Sequence, residues 1–536
     1  MNFLTKNFYR ASLFLASALF TITVLETRPS ATALFAAKPI NFAQFEQHFY
    51  MLNIGDTRAL HADLRYVAEN PKIVSVAGNS IQALANGETQ VFSIDDAGKK
   101  TLAATVTIGW PVQNPVLPFS WNVYVPDTEA HNFGGKIYIY GSLDAHPGSF
   151  CSPFYISLFS SDLRRWESYG VSFSSFKLGP HKGRILWDSD GAFHNGKFLH
   201  YGFYEWDSSG KDNHMFVAES KNPTGPFSEF KWVVGDKTGT KIDGISAQVF
   251  TDDDGQRYIT YAPTKQPVEK NYPVIAKLIN NYTIDESSAT NIGAPLKDFY
   301  EGPSLRKRGD TYYFVYAENT GKITRKNRRP LRLSYATSKN IFGPYVYRGI
   351  ILTIEDIVGD GNIQGSIEQH NGEWFVFYHR TTNALYNRRA LCVQKIQFDK
   401  NGLIKQEVPT SSGVAGALPS SATLYVGTAV IFKNIKRGEF GQFGGVTPLN
   451  NGSAKIGFRY VSLTGHEKKL TLNGTNLKNL KNLQVFADDK QIASGNGENG
   501  AILSIPGFAA KSATITLVFE KEKSGKPPII YSARFE

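Results

Sequence analysis

The chain has 536 residues, 41% hydrophobic and 20% charged, which suits roughly two to four folded domains and excludes disorder as its main state. Gly 48, Pro 25, Tyr 26 and Phe 37 against Met 3 favour turns and aromatic strands over helices, so an all-β fold is expected. The net charge of +11 is concentrated late in the chain, with 15 Lys and Arg against 8 Asp and Glu from Lys433 onward; no basic helix or basic-aromatic motif accompanies it, and nucleic acid is not an expected partner.

The chain opens with Lys6 and Arg10, an apolar run over residues 11–25, and small residues at Ala31-Thr32-Ala33. This pattern predicts a signal peptide over 1–33, a secreted or periplasmic protein, and no membrane span once the leader is removed. A retained anchor is the alternative reading. Residues 38–110 alternate short strand-like runs with turn signals, the spacing of a small antiparallel sandwich. The stretch NPKIVSVAGNSIQALANGETQVF resembles the bacterial immunoglobulin-like type 2 domain, which implies a spacer without catalysis.

Residues 111–410 carry a recurring unit in which a turn, usually containing glycine, precedes an alternating aromatic strand. Its five copies are HNFGGKIYIYGS, FHNGKFLHYGF, FTDDDGQRYITYA, LRKRGDTYYFVYAE and EQHNGEWFVFYHR. A period of about 55 to 62 residues is long for a hairpin and suits one four-stranded blade, so five copies predict a five-bladed β-propeller. Closure of such a ring brings Cys151 and Cys392 into one sector, where either a disulfide or two buried thiols is expected. PTSSGVAGALPSSA then has a linker composition, and short alternating strands over residues 420–536 predict a second sandwich. Its opening resembles a carbohydrate-binding module of the family 6 type, although all seven tryptophans lie at or before Trp374 and indole platforms for sugars are therefore missing from it.

Inner strands of a propeller converge on its axis, so acidic residues at equivalent positions in different blades meet there. Asp127, Asp190 and Glu301 each lie a few residues upstream of a blade's turn. A single such carboxylate reads as a solvated cap, whereas three in phase read as a site.

The pieces VYVPDTEAHNFGGKIYIYGSLD, LWDSDGAFHNGKF, VFTDDDGQRYITYA, EGPSLRKRGDTYYFVYAEN and GSIEQHNGEWFVFYHR, in this order, resemble glycoside hydrolase family 43. The resemblance implies an inverting glycosidase with Asp127 as general base, Glu301 as general acid and Asp190 as the charge that keeps the acid protonated. It implies a plant cell-wall polysaccharide or oligosaccharide as partner and α-L-arabinofuranosidase or β-xylosidase activity; an exo-β-galactan hydrolase and a non-catalytic glycan-binding propeller are the alternatives. Trp187, His379, Arg380 and Gln364 are the expected sugar-binding residues, with Phe203, Tyr204 and Trp206 as further cleft candidates. Thr128 follows the base where the family usually has Pro, Ser246-Ala247 stands where it has Asp-Pro, and Gln364 replaces a His that helps to hold an axial metal or orient the acid. No cofactor is required, a structural Ca2+ on the axis is weakened by Gln364, a water-filled axis is expected, and the protein is expected to be a monomer.

Overall fold

The structure, a computed structural model, describes residues 42–536 except 62–63, 146–149, 180–181, 206–212, 235–243, 264–271, 294–295, 321–329, 358–361, 383–387, 439–443, 451, 498–500 and 523–524. The leader and Trp206 lie outside the described residues. Within them the chain is strands joined by loops and short 3-10 turns, and no helix is long and apolar enough to cross a membrane.

The five repeats are the five inner hairpins of a propeller. Their first strands are Glu129–Phe133, Trp187–His194, Ile245–Thr251, Phe299–Arg308 and Gly365–His370, and these neighbour one another in a ring. Blades II, III and IV have four antiparallel strands in sequence order, whereas blade V has three. Asn195-Gly196 and Asn371-Gly372 both have φ values of 49–80° at their two positions, which is the backbone a tight hairpin with right-handed strand twist demands. Second strands such as Thr311–Asn319 are buried almost throughout, because each is covered by a blade on either face.

Ring closure uses side chains as well as strands. Ser366 Oγ accepts from Ala130 N–H at 3.0 Å and donates to Thr128 O at 3.3 Å, joining blade V to blade I. Residues 114–116 run beside the third strand of blade V: the Asn114 amide exchanges two bonds with Val393 (3.0 and 2.9 Å), and Val116 N–H donates to Leu391 O.

Two expectations about the flanks need correction. The N-terminal strand His48–Leu52 pairs parallel, not antiparallel, with Lys100–Ile108. Its other edge pairs with Glu167–Ser168 of blade I, so one sheet of the N-terminal sandwich, which packs an apolar core against a separate three-stranded sheet, runs on into the propeller; an Arg58–Glu167 ion pair at 2.5 Å reinforces the seam. The expected linker is packed structure. Thr410, Ser411 and Ser412 are buried, and Ser411 Oγ donates to Thr428 O at 2.8 Å. Beyond it, two sheets of six and five strands form the C-terminal sandwich.

Arg380, expected to face a sugar, is fully buried behind blade V. Its guanidinium donates to Ala429 O, Asn114 O and Gly427 O at 3.0, 3.0 and 3.1 Å, tying blade V to the segments that precede the propeller and open the C-terminal domain. Arg380→Met should strand three buried carbonyls and lower unfolding free energy by about 2–4 kcal/mol in a urea titration, with kcat unchanged because the side chain lies outside the carboxylate cluster described below. The two cysteines are free and buried. Cys392 belongs to the apolar cluster shared by blades IV and V and the C-terminal sandwich, and Cys151 sits among the polar side chains of Asp127, Asp144 and Arg389.

Candidate active site

At one end of the channel, residues from all five blades converge. Asp127 lies in the segment entering the first inner strand, with φ of 56°, a left-handed conformation that Asp tolerates better than most residues. It is buried, and its Oδ1 accepts from Arg389 Nη1 at 2.9 Å. Arg389 opens the third strand of blade V and is fixed by Asp144, which accepts from its Nε at 2.9 Å, its Nη2 at 3.0 Å and its backbone N–H at 3.1 Å. Asp144 also accepts from Cys151 N–H at 2.8 Å, and the Cys151 thiol lies 3.3 Å from Arg389 Nη2. Burial pushes Asp127 well above the usual carboxylate range, the Arg389 guanidinium opposes it, and Asp188 and Asp144 push it further up. Burial likewise raises the Cys151 thiol well above its ordinary value, which makes it a poor nucleophile.

Glu301 stands near the start of the blade IV inner strand, and Asn362 Nδ2 donates to its Oε1 at 2.9 Å. The Gln364 side chain is its second amide donor and packs against Gly302, where a Cβ would come within 2.9 Å of it. Burial raises Glu301; the two amides oppose the rise and Asp127 adds to it. The third carboxylate is Asp188, buried between the other two. Ser246 Oγ donates to its Oδ2, its carboxyl reaches Asp127, and burial followed by the charge of Glu301 raises it.

Asp190 is therefore not the third member. Asp188 sits at a β-bulge, where the register shifts between Trp187 and Ser189, and both it and Asp190 turn towards blade III, Asp188 to Ser246 and Asp190 to Val249, so Asp190 lies further along the channel. There it accepts from His131 Nε2 at 2.5 Å, Gly191 N–H at 2.7 Å and Val249 N–H at 2.6 Å. Phase relative to the turn identifies the correct face of the blade II strand and the wrong depth.

Glu129, His131 and Asp190 bring ligand atoms within 4.8 Å of one another, which makes them the cluster to test against an axial metal. They do not fit calcium, which needs six to eight free oxygen ligands. Arg306 Nη2 already donates to Glu129 at 3.0 Å, Ser304 donates to the same oxygen at 3.0 Å, and three donors already engage both oxygens of Asp190. The Arg306 guanidinium also bonds Glu368 at 3.1 Å and Ala130 O at 2.6 Å, so a fixed organic cation joins blades I, IV and V beside this cluster, and side chains occupy the axis at this level where water was expected.

His379 does not face a ligand either. It is fully buried; its Nδ1 accepts from Asp127 N–H at 2.9 Å and its Nε2 lies 3.0 Å from Asn362 Oδ1. Burial and Arg389 hold it well below the usual imidazole range, so it is neutral. Phe203 and Tyr204 are buried, with Tyr204 stacked on His214 at 5.1 Å. Trp187 is half-buried at the head of the blade II strand, next in sequence to Asp188. Asp144, Asp188, Asn362 and Arg389 join the site without having been expected there. Two adjacent arginines in NRRALCV, entering an apolar strand, are the available sequence signal for Arg389, since a buried guanidinium demands a carboxylate partner.

A family model described as Glycosyl hydrolases family 43 matches residues 112–404. The chain belongs to this family. The match begins just before the Asn114 contact with blade V and ends after its last strand, so it spans the propeller as described. Among curated relatives of the family 43 domain, a xylosidase/arabinosidase of Thermoclostridium stercorarium is 32% identical over 339 residues, covering 56% of this chain and 68% of that protein. A xylosidase/arabinosidase of Bacteroides ovatus is 27% identical, covering 52% of this chain and 94% of that protein. Among solved structures, a family 43 β-xylosidase/α-arabinofuranosidase from a compost metagenome, in complex with xylotriose and calcium-free, has 25% identity and a TM-score of 0.47, covering 56% of this chain and 99% of that one.

Proposed function

We propose that this family 43 hydrolase works by inversion, removing α-L-arabinofuranosyl or β-xylosyl units from plant cell-wall polysaccharides or their oligosaccharides outside the cytoplasm. The observation that carries the reading is the unequal bonding of three buried carboxylates: Asp127 alone is bonded by a guanidinium, whereas Glu301 receives neutral amides. Of the pair, Asp127 is the one whose ionised form a guanidinium supports against the upward push of burial and neighbouring carboxylates, which assigns it the base and Glu301 the acid. Asp127 takes a proton from a water whose oxygen bonds to the anomeric carbon. Glu301 gives its proton to the glycosidic oxygen as that bond breaks, and Asp188 supplies the negative charge that keeps Glu301 protonated. Trp187 offers a ring face for a sugar. Names of relatives such as xylosidase/arabinosidase and β-xylosidase support the substrate class.

The test is hydrolysis of p-nitrophenyl α-L-arabinofuranoside, β-D-xyloside and β-D-galactoside, with the anomer first released followed by NMR. Turnover of one of the first two with release of the opposite anomer is expected. Turnover of the galactoside alone points to the galactan-directed alternative, retained configuration refutes the mechanism, and glycan binding without turnover of aryl or natural substrates refutes the enzyme reading.

A further inference from the structure

Asn362 is placed to do more than solvate a carboxylate. It immediately precedes the segment that opens the blade V inner strand; its Nδ2 reaches the acid directly, and its Oδ1 reaches the two residues, His379 and Arg389, that hold the base. The direction of every bond in the chain follows from one fixed donor. Asp127 N–H can only donate, so His379 Nδ1 accepts it at 2.9 Å. The neutral ring must then carry its proton on Nε2, and that N–H donates to Asn362 Oδ1 at 3.0 Å. Arg389 Nη1, which also holds Asp127 Oδ1, donates to the same Oδ1 at 3.4 Å. With its oxygen committed to two donors, the amide can present only N–H to Glu301, at 2.9 Å from Oε1. Its orientation is thus determined by chemistry, where an isolated Asn would leave oxygen and nitrogen interchangeable.

Resting on the assignment of Glu301 as general acid, we propose that Asn362 is a positioning residue that ties the acid to the framework holding the base and tunes how readily Glu301 keeps its transferable proton. Its bond to Glu301 sets a fixed distance between acid and base through two short routes, one by His379 to the Asp127 backbone and one by Arg389 to the Asp127 carboxylate. Gln364 supplies the second amide to Glu301, and the link to the base runs through Asn362.

The charged and titratable groups facing Glu301 are Asp127 from blade I, Asp188 from blade II, and Arg389 and neutral His379 from blade V; blade III contributes Ser246, which does not titrate here. Removing a donor to the ionised form of Glu301 favours its protonated form, so Asn362→Ala should move the alkaline limb of kcat/KM to higher pH. Asn362→Asp preserves size and the acceptor for His379 and Arg389 while turning a carboxylate towards Glu301, and should move that limb further in the same direction. Since the defect lies in acid catalysis, kcat should fall about 10²-fold on a poor leaving group such as a xylo- or arabino-oligosaccharide, and less than about tenfold on the p-nitrophenyl glycoside, whose leaving group needs little protonation.

The experiment measures pH profiles and both kcat values for wild type, Asn362→Ala, Asn362→Asp and Glu301→Gln in the full chain. An alkaline limb raised in both Asn362 variants, with the larger loss on the poor leaving group, supports the proposal. Equal losses on both leaving groups with an unmoved limb overturn it, and so does wild-type behaviour. Glu301→Gln separates the two layers: if it spares the poor leaving group, the assignment of the acid itself has failed.

Discussion

Asp127→Asn should lower kcat by about 10³- to 10⁴-fold while leaving the fold in place. The side chain is buried and bonded by Arg389, a setting in which removing one partner ordinarily destabilises by leaving the other unpaired. Here Arg389 keeps its paired contacts with Asp144 at 2.9 and 3.0 Å, so one carboxylate still neutralises it. Asn is also at home in the left-handed backbone that residue 127 adopts, and its amide oxygen can accept from the same guanidinium. What Asn lacks is the capacity to take a proton from water. The expected signature is loss of kcat with little change in KM or melting temperature; activity within about tenfold of wild type would remove Asp127 from the role of base. Asp144→Asn gives the converse result. Its carboxylate touches no reacting group but orients Arg389 and Cys151, so that variant should lose stability as well as rate.

Much of this arrangement is legible in the amino-acid sequence. The five turn-strand repeats coincide with the five inner hairpins because each must reverse the chain tightly and then pack an aromatic strand between neighbouring blades. Asp127 and Glu301 are legible because position relative to the hairpin turn reports which face of an inner strand a residue occupies. Depth along the channel has no such signature, and that is why phase alone points to Asp190 where the structure has Asp188: the two share a face, and only the stacking of blade II against blades I and III decides which one reaches the mouth. Arg380 and His379 escape the sequence for a related reason. A charged or polar residue at a strand end can face solvent, a ligand or another domain, and what buries these two is contact between segments far apart in sequence, Asn114 and Ala429 for Arg380, Asp127 and Asn362 for His379. The parallel seam of the N-terminal sheet is invisible because short alternating strands carry no mark of which edge they will pair.

The charge beside Glu301 should be movable from one blade to another. The charge of Glu301 raises Asp188, and like charges repel reciprocally, so Asp188→Asn removes a negative neighbour of the acid; the acid then loses its proton at lower pH. A general acid works only while protonated, so the alkaline limb of kcat/KM should shift down, opposite to the shift expected for the Asn362 variants, and kcat at neutral pH should fall about 10²-fold. Ser246 Oγ already touches Asp188 Oδ2 across the gap between blades II and III, so a carboxylate built on residue 246 would reach nearly the same point. Residue 246 has φ of 55°, which Asp accommodates, and a serine at 188 would return the hydroxyl donor from the other side. Asp188→Ser combined with Ser246→Asp should therefore recover at least about tenfold of the kcat lost in Asp188→Ser alone and return the alkaline limb towards its original pH. Ser246→Asp by itself should do the reverse, because two like charges in one buried pocket raise each other's proton affinity and cost stability. If the paired variant is no better than Asp188→Ser, the requirement lies in the Asp188 side chain as placed by blade II, and the position of the charge is not what the reaction needs. Recovery would mean that the third carboxylate is defined by where its charge sits between Asp127 and Glu301, whichever strand delivers it.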